Sequence, residues 1–263
     1  MKPPVALTIA GSDSSGGAGI QADLKTFHAL GVFGTSAITA LTAQNTRGVT
    51  GILPVDAAFV ALQIDTTVED IPPDAVKTGM LADAGIVDVV ADAAARHRFP
   101  TFVVDPVMVA TSGARLLEPD AVDALRERLL PIATLVTPNA PEAAVLLGRA
   151  VETAGDQEAA ARALVDELGA RAALVKGGDL EGETLTDVLY DGERIQIFHD
   201  ARIVTTSTHG SGCALASAIA AFLARGETLP AAVAHARAWV RRGIETAPQL
   251  GHGRGPLDLF PHD

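Results

Sequence analysis

The sequence is poor in cysteine and in positive charge. Cys213 is the single cysteine among 263 residues, so no disulfide can form within the chain, as is typical of proteins from a reducing cytoplasm. Lys and Arg number 20 against 32 Asp and Glu, which gives a net charge of −12. Such a field repels nucleic acids and anionic membranes, so we expect neither as a partner. An anionic small substrate would need a locally positive pocket or a bridging cation.

Long hydrophobic runs are also missing. The apolar run at residues 5–10 is too short for the core of a signal peptide. The run ALASAIAAFLA at 214–224 falls well short of the roughly 20 residues that span a bilayer. With 48% hydrophobic and 20% charged residues, the chain can nevertheless bury a large core. We therefore expect a soluble cytoplasmic protein.

What the sequence does contain is a regular alternation of short apolar runs with alanine-rich helical stretches. Apolar residues recur every three or four positions at Ile20, Leu24 and Phe27 and again at Leu215, Ile219 and Phe222, which predicts helices there. The pattern predicts an α/β fold: a mostly parallel central sheet with helices on both faces. Predicted strands lie at residues 5–10, 36–42, 75–78, 102–105, 135–137 and 173–176.

The stretch TDVLYDGERIQIF interrupts this alternation. Its Asp191-Gly192 pair lies between two apolar runs and predicts a hairpin, hence an antiparallel edge of the sheet. Neither an internal repeat nor a low-complexity linker marks a domain boundary. We expect one domain over residues 1–263.

Polar residues follow or close most of the predicted strands. Ligands bind at the carboxyl ends of the strands in open α/β sheets, so we expect these residues to gather around one site. They are Gly11, Asp13, Gln44, Lys77, Asp105, Asn139 and Lys176.

The glycine-rich stretch AGSDSSGGAG at 10–19 stands where a phosphate loop would lie. Gly11 and Gly16 have the Walker-A spacing, but Gly17 and Ala18 replace the lysine and the hydroxyl residue of that motif. The glycines do not fit the dinucleotide fingerprint either. The stretch is either a flexible turn or a loop that closes over a small substrate.

Two acidic residues are candidates for a magnesium site. Asn139 and Glu142 have the spacing of a helix capping box, and Glu142 could also face the strand ends and hold Mg²⁺ through water. Asp105 ends an apolar strand, where an aspartate either forms a turn or joins such a site.

Lys176, followed by two glycines, is either solvated or positioned beside a phosphate. Gln44 is either an ordinary loop amide or a partner for a heterocycle with an amine beside a ring nitrogen.

The stretch STHGSGCA at 207–214 precedes a helix. Backbone N–H groups in a first helical turn have no intrahelical acceptors, and glycines allow successive amides to point at one anion. The residues Gly210, Ser211, Gly212 and Cys213 therefore predict an oxyanion or phosphate site, although small residues also permit close helix packing.

Taken in order, these stretches closely resemble the hydroxymethylpyrimidine/phosphomethylpyrimidine kinase family, which has a ribokinase-like fold. The resemblance covers essentially the whole chain. It implies two successive ATP-dependent phosphorylations of 4-amino-5-hydroxymethyl-2-methylpyrimidine in thiamine biosynthesis, and a homodimer. The matching stretches are GSDSSGGAGIQADLKTF, TAQNTRGV, VKTGML, DPVMVATSGARLL, TPNAPEA, VKGGD, STHGSGCALASAIAA and GHGRGPLD.

The resemblance also implies roles for single residues. Gln44 matches the residue that recognises the pyrimidine, and Lys176 matches a phosphate-contacting lysine. Asp105 and Glu142 match the positions that organise Mg²⁺, and the segment 208–213 matches the anion hole. The matching substrate-pocket positions are Gly11, Asp23, Met80 and Val107, and the matching nucleotide-binding positions are Asn139, Lys176, Asp187, Thr206 and Thr208.

Cys213 occupies the position where ribokinase-like sugar kinases carry a catalytic aspartate. A thiol at a helix N-terminus is predicted to have a lowered pKa and to accept a proton from the hydroxymethyl group. A neutral thiol would also tolerate the phosphate that is the acceptor in the second reaction, whereas a carboxylate would repel it. The role of His209, beside the predicted anion hole, stays open between a nucleotide contact and a capped turn.

A lid over residues 106–115 is expected to exclude water from the site. Two rival functions stay open: a pyridoxal or pyridoxine kinase of the same fold, and a non-catalytic protein that senses a pyrimidine. Gln44 and Met80 favour the pyrimidine over the pyridine substrate.

Overall fold

The fold is given by a computed structural model that describes residues 2–109 and 116–260. Within these ranges nine strands form one sheet, and eight α-helices cover it. The strands are β1 Val5–Asp13, β2 Phe33–Asn45, β3 Gly48–Pro54, β4 Ala75–Thr78, β5 Phe102–Val104, β6 Leu135–Val136, β7 Ala173–Val175, β8 Thr184–Tyr190 and β9 Ile195–Ala201. The helices are α1 Gly19–Ala29, α2 Ala57–Asp70, α3 Ala84–His97, α4 Pro119–Ala124, α5 Ala140–Leu147, α6 Ala154–Asp166, α7 Ser211–Ala224 and α8 Leu229–Glu245.

The strand order is β3-β2-β1-β4-β5-β6-β7-β8-β9. The six strands from β2 to β7 in this order pair in parallel, which confirms the predicted mostly parallel sheet. Almost every residue of β1 is buried on both faces, as expected of a central parallel strand. The carboxyl ends of these parallel strands therefore meet at one edge.

Antiparallel strands close both sides of the sheet, not one side as predicted. The hairpin of β8 and β9 turns at Asp191-Gly192, as the sequence predicts. On the opposite side β2 runs on to Asn45 and pairs with β3 in a second hairpin. This strand escaped prediction because its side chains are largely exposed and show no apolar alternation.

Apolar side chains form a core on each face of the sheet. One core packs the sheet against α2, α3, α4, α5 and α6, and the other packs it against α1, α7 and α8. Alanines of α7, fully buried at Ala216, Ala218 and Ala220, let this helix lie close to the sheet beneath the strand ends. None of the described helices is long and apolar enough to cross a bilayer.

Candidate active site

A cavity of about 650 Å³ opens at the carboxyl ends of the parallel strands, within the size range of small-molecule sites. Most of the residues singled out from the sequence line it, although they come from distant parts of the chain. They are Gly11, Gln44, Met80, Asp105, Val107, Asn139, Glu142, Lys176, Asp187, Thr208, Gly210, Ser211, Gly212 and Cys213.

Asp23 does not line this cavity, contrary to the pocket role that the resemblance implies. Its carboxylate is fully buried and pairs with the Lys77 ammonium at 3.0 Å. The hydroxyls of Thr8 and Ser217 each donate to it at 2.6 Å. Burial alone would lower the pKa of Lys77, but the Asp23 charge raises it, so the ammonium stays charged. The pair joins β1, α1, β4 and α7, and neither residue lines the cavity.

Thr206 also lies outside the main cavity. It is exposed and lines an adjacent pocket of about 470 Å³, whose wall includes Gln44 and His209 as well. Its neighbour Thr208 does line the main cavity, and the buried Thr208 hydroxyl has no hydrogen-bond partner among the described residues. A ligand oxygen in the cavity would supply that partner.

Asp105 and Lys176 form the charged centre of the cavity. Lys176 Nζ contacts Asp105 Oδ1 at 3.1 Å, and the Thr137 hydroxyl donates to the same oxygen at 3.1 Å. Burial would lower the pKa of Lys176, but Asp105 and Glu142 raise it, so the ammonium stays charged. The other oxygen, Asp105 Oδ2, is buried and has no hydrogen-bond partner among the described residues. A buried carboxylate oxygen without a donor is suited to a cation or to its coordinated water.

Glu142 begins α5 as part of the predicted capping box. The Glu142 amide donates to Asn139 Oδ1 at 2.8 Å, and Glu142 Oε2 accepts from the Asn139 amide at 2.9 Å. The carboxylate also lines the cavity. Burial raises the pKa of Glu142 to about 7; the Lys176 charge opposes this shift and the Asp105 charge adds to it. The capping role and an approach to the cavity therefore coexist in one side chain.

These residues fit Mg²⁺ as a sparsely ligated ion. The described residues contain no group of three or more His, Cys, Asp or Glu that could hold a metal ion alone. Magnesium usually keeps several waters and takes one or two carboxylates together with substrate phosphates. Asp105, with its unpartnered Oδ2, and Glu142 offer two carboxylates of this kind.

The turn before α7 presents unpaired amides to the cavity. Gly210 is the N-cap with a φ of 79°, a conformation that favours glycine, and a Cβ here would strike the Gly17 carbonyl oxygen. The Ser211 amide donates to Thr208, but the amides of Gly212 and Cys213 have no acceptor within the described residues. The partial positive charge of the helix N-terminus adds to these donors. Together these donors are suited to binding an anion.

The Cys213 thiol has a raised pKa, and the predicted lowering is wrong. Burial raises the pKa of Cys213 to about 11; the Lys77 charge opposes this shift, and the Asp23 and Asp105 charges add to it. Loss of water around the sulfur outweighs the helix N-terminus in this position. At neutral pH the group in the cavity is a thiol, not a thiolate.

Asp13 and His209 link the glycine-rich loop to the turn before α7, and sequence reasoning missed this pair. Asp13 Oδ2 accepts from His209 Nε2 at 2.8 Å and from the amides of Gly17 and Ala18. Burial alone would raise the pKa of Asp13, but hydrogen bonds from His209 and Ser15 hold it well below its usual range. The Asp13 carboxylate thus links the backbone of the stretch 13–18 through several hydrogen bonds. No local pattern connects residues 196 positions apart.

The far end of the cavity is lined by α8 and by the β8–β9 hairpin. Asp187 accepts from Arg237 Nε at 2.7 Å and from the Gly177 amide at 2.9 Å. Arg237 also contacts Asp200 at 2.9 Å and stacks over Phe198. The spacing of Arg237 and Arg241, one helical turn apart, could have indicated that this face of α8 borders the site.

The predicted lid at 106–115 lies partly within the structure. Val107 and Val109 line the cavity, whereas residues 110–115 lie outside the described residues.

Comparison with known proteins shows which family the chain belongs to. The family model described as phosphomethylpyrimidine kinase matches residues 13–258. The hydroxymethylpyrimidine/phosphomethylpyrimidine kinase of Rhizobium meliloti (strain 1021) is 52% identical over 97% of each chain. The thiamine biosynthesis bifunctional protein ThiED of Geobacter sulfurreducens is 51% identical over 96% of this chain, which spans about half (51%) of that protein. An ADP complex of Bacillus subtilis pyridoxal kinase is similar in structure, with a TM-score of 0.90 and 38% identity over 97% of each chain.

Proposed function

The chain belongs to the phosphomethylpyrimidine kinase family, and we propose that it phosphorylates 4-amino-5-hydroxymethyl-2-methylpyrimidine and then its monophosphate, with ATP as donor. The resulting diphosphate serves thiamine synthesis. The observation that carries this proposal is that one cavity is lined by the Gln44 side chain, by the Lys176–Asp105 pair and by two backbone amides of α7 that have no acceptor among the described residues. We propose that residues 1–263 form one kinase domain, because the described strands form a single sheet.

The pyrimidine ring binds at the end of the cavity that Gln44 lines. The Gln44 amide offers one donor and one acceptor to an exocyclic amine and the adjacent ring nitrogen. Met80 and Val107 supply apolar contacts. Gly11 leaves room for the Met80 side chain, since a Cβ at this position would lie 3.1 Å from Met80 Sδ. In this proposal the 5-hydroxymethyl group points toward Cys213, which lines the same cavity.

The transferring phosphoryl group lies against the amides of Gly212 and Cys213. These donors are fixed before the reaction, so they stabilise developing negative charge without reorganisation. Lys176 is a point charge beside the same space: a Cβ at Gly212 would lie 3.4 Å from its Nζ. Asp105 and Glu142 would hold Mg²⁺. When bound, that ion neutralises the charge of the ATP phosphates. The chain's own part is positioning and electrostatic stabilisation.

Cys213 contacts the acceptor hydroxyl as a neutral thiol. Phosphoryl transfer passes through a loose transition state, so little deprotonation of the alcohol is required beforehand. In the second reaction the acceptor is a phosphate that needs no base at neutral pH. The uncharged thiol tolerates that anion, and the raised pKa of Cys213 supports this role.

The adenine moiety of ATP binds at the far end of the cavity. Apolar side chains of α7, α8 and the segment after β9 line that end: Ile203, Leu215, Val240 and Ile244. The Asp187 carboxylate accepts hydrogen bonds from Arg237 and from the Gly177 amide. Its role at this end is therefore to position these groups and not to bind the nucleotide directly. Asn139 and Thr208 lie nearer the phosphates.

We also propose that the protein is a homodimer that works in the cytoplasm, where ATP is available and Cys213 stays reduced. Leu41 and Leu53 are cross-strand partners on β2 and β3, and both are exposed, as are Phe59 and Leu62 of α2. Exposed apolar groups of this kind on a sheet edge mark an interaction surface. Light scattering should give twice the monomer mass for the native chain, and Leu53→Glu should shift it to the monomer. A monomeric native chain would refute the dimer.

A pyridoxal kinase activity is the second candidate, because the B. subtilis pyridoxal kinase shares the fold. Purified protein is incubated with ATP, Mg²⁺ and either alcohol, and the products are identified by mass. We expect the pyrimidine to gain one and then a second phosphate, with pyridoxal a poorer substrate. A faster reaction with pyridoxal would favour the second candidate. An absence of substrate-dependent ATP turnover with either alcohol would favour a non-catalytic sensing protein.

A further inference from the structure

The Gln44 amide lies between His209 and Thr42 at the substrate end of the cavity. Its nitrogen is 3.4 Å from His209 Nε2, and its oxygen is 3.3 Å from Thr42 Oγ1. A half-turn about the last side-chain bond exchanges the oxygen and nitrogen of an amide. The hydrogen-bonding groups around it decide which of the two orientations is stable.

On the His209 side the decisive group is Asp13. An ionised carboxylate only accepts hydrogen bonds, so the 2.8 Å contact with Asp13 Oδ2 requires a hydrogen on His209 Nε2. That nitrogen then has no lone pair for a second donor, and its one hydrogen, which Asp13 Oδ2 accepts, is at most shared with a Gln44 oxygen. With the Gln44 nitrogen facing it, two N–H donors would oppose each other.

On the Thr42 side the decisive group is the Ser12 carbonyl. Thr42 Oγ1 donates to this oxygen at 2.9 Å, which uses its single hydrogen. The Gln44 oxygen, at 3.3 Å, lies beyond the usual O–H···O range and finds no hydrogen to accept. The Thr42 hydroxyl retains lone pairs and can accept from an N–H group. Both neighbours therefore favour the same half-turn.

We propose that Asp13, acting through His209, and Thr42 fix the polarity of the Gln44 amide, with the oxygen toward His209 and the nitrogen toward Thr42. One lone pair and one N–H group then remain for the substrate, in a set order. Asp13, His209 and Thr42 are positioning residues that act through Gln44.

This polarity selects aminopyrimidines over oxopyrimidines, an inference that rests on the proposed function. The amino group meets the amide oxygen on the His209 side, and the neighbouring ring nitrogen meets the amide nitrogen on the Thr42 side. In the oxo analogue a carbonyl replaces the amino group, and the neighbouring ring nitrogen carries a hydrogen. Both contacts are then inverted. Because buried polar groups are left unpaired, we expect a preference of about 100-fold or more for the amino alcohol.

The test measures the ratio of kcat/KM for the amino and oxo alcohols, with ATP and Mg²⁺ held constant. His209→Phe removes the N–H group, and we expect the ratio to fall about tenfold, mainly through KM for the amino compound. His209→Gln, which keeps an N–H donor, should retain more of the ratio. Ser15→Ala is the matched control: it removes another hydrogen bond to Asp13 but leaves the His209 contact in place.

Thr42→Val and Thr42→Ser test the opposite side and keep the inference testable if His209→Phe does not fold. The valine variant should lower the ratio, and the serine variant should keep it. In a Gln44→Ala background, which lacks the amide, neither His209→Phe nor Thr42→Val should change the ratio further. A ratio unchanged in both single variants, although Gln44→Ala lowers it, would overturn the inference. A wild-type protein that does not phosphorylate the amino alcohol would instead refute the proposed function.

Discussion

Gly212, the second residue of α7, is a position where one substitution has opposite effects on folding and on turnover. Its backbone is not in the left-handed region, and an added Cβ would meet no backbone atom within 4 Å. The Cβ would instead lie 3.4 Å from Lys176 Nζ and 3.9 Å from Asp105 Oδ2. Gly212→Ala thus places a methyl group in the space assigned to the phosphoryl group, without disturbing the chain.

The two magnitudes follow from this geometry. Alanine restricts the unfolded chain more than glycine does, so the free energy of unfolding should rise by about 0.4–1 kcal/mol. The methyl group separates the phosphoryl oxygens from the Gly212 and Cys213 amides. Loss of one such donor in an oxyanion hole costs about 10²–10³-fold in kcat. We therefore expect a more stable protein that is at least about a hundredfold slower.

Stability is measured by urea unfolding, and turnover by mass detection of the pyrimidine phosphates. Gly155→Ala is the matched control, because Gly155 is the second residue of α6, is exposed and lies outside the cavity. The control should gain similar stability and keep wild-type kcat. If Gly212→Ala folds normally and turns over within twofold of the wild type, the assigned phosphoryl position is wrong.

Three further predictions concern Lys77, Lys176 and Cys213. Lys77→Met should lower the free energy of unfolding by about 3–5 kcal/mol in urea unfolding, because Asp23 loses its buried partner. A Lys77→Met/Asp23→Leu double variant should recover most of this loss of stability. Equal losses in both variants would argue against the ion pair. Lys176→Met should reduce kcat/KM for ATP about a hundredfold in steady-state assays without changing the mass of the assembly, and a wild-type value would remove Lys176 from the phosphate site. Cys213→Asp should impair the second phosphorylation more than the first, measured with each pyrimidine acceptor separately, whereas equal losses would contradict the role of an uncharged thiol.

The parallel part of the fold could be predicted from the sequence because burial on both faces leaves continuous apolar runs. The β8–β9 hairpin carried its own turn signal at Asp191-Gly192. The edge strand β3 could not be predicted, since an exposed strand shows no apolar alternation.

The site was predictable as a group of strand-end residues, because parallel strands bring their carboxyl ends to one edge. The predictions that failed concern residues whose environment is formed by side chains from distant parts of the chain. Asp23 finds its partner Lys77 54 residues away. The pKa of Cys213 depends on burial and on Asp23 and Asp105, whereas the sequence displays only the helix N-terminus. The contact of Asp13 with His209 left no signal in either segment.

The most direct test of the account is a crystal structure with Mg²⁺, a non-hydrolysable ATP analogue and the pyrimidine alcohol. We predict that an oxygen of the terminal phosphate lies about 3 Å from the amide nitrogens of Gly212 and Cys213. A terminal phosphate bound elsewhere, with these amides facing water or protein acceptors, would contradict it.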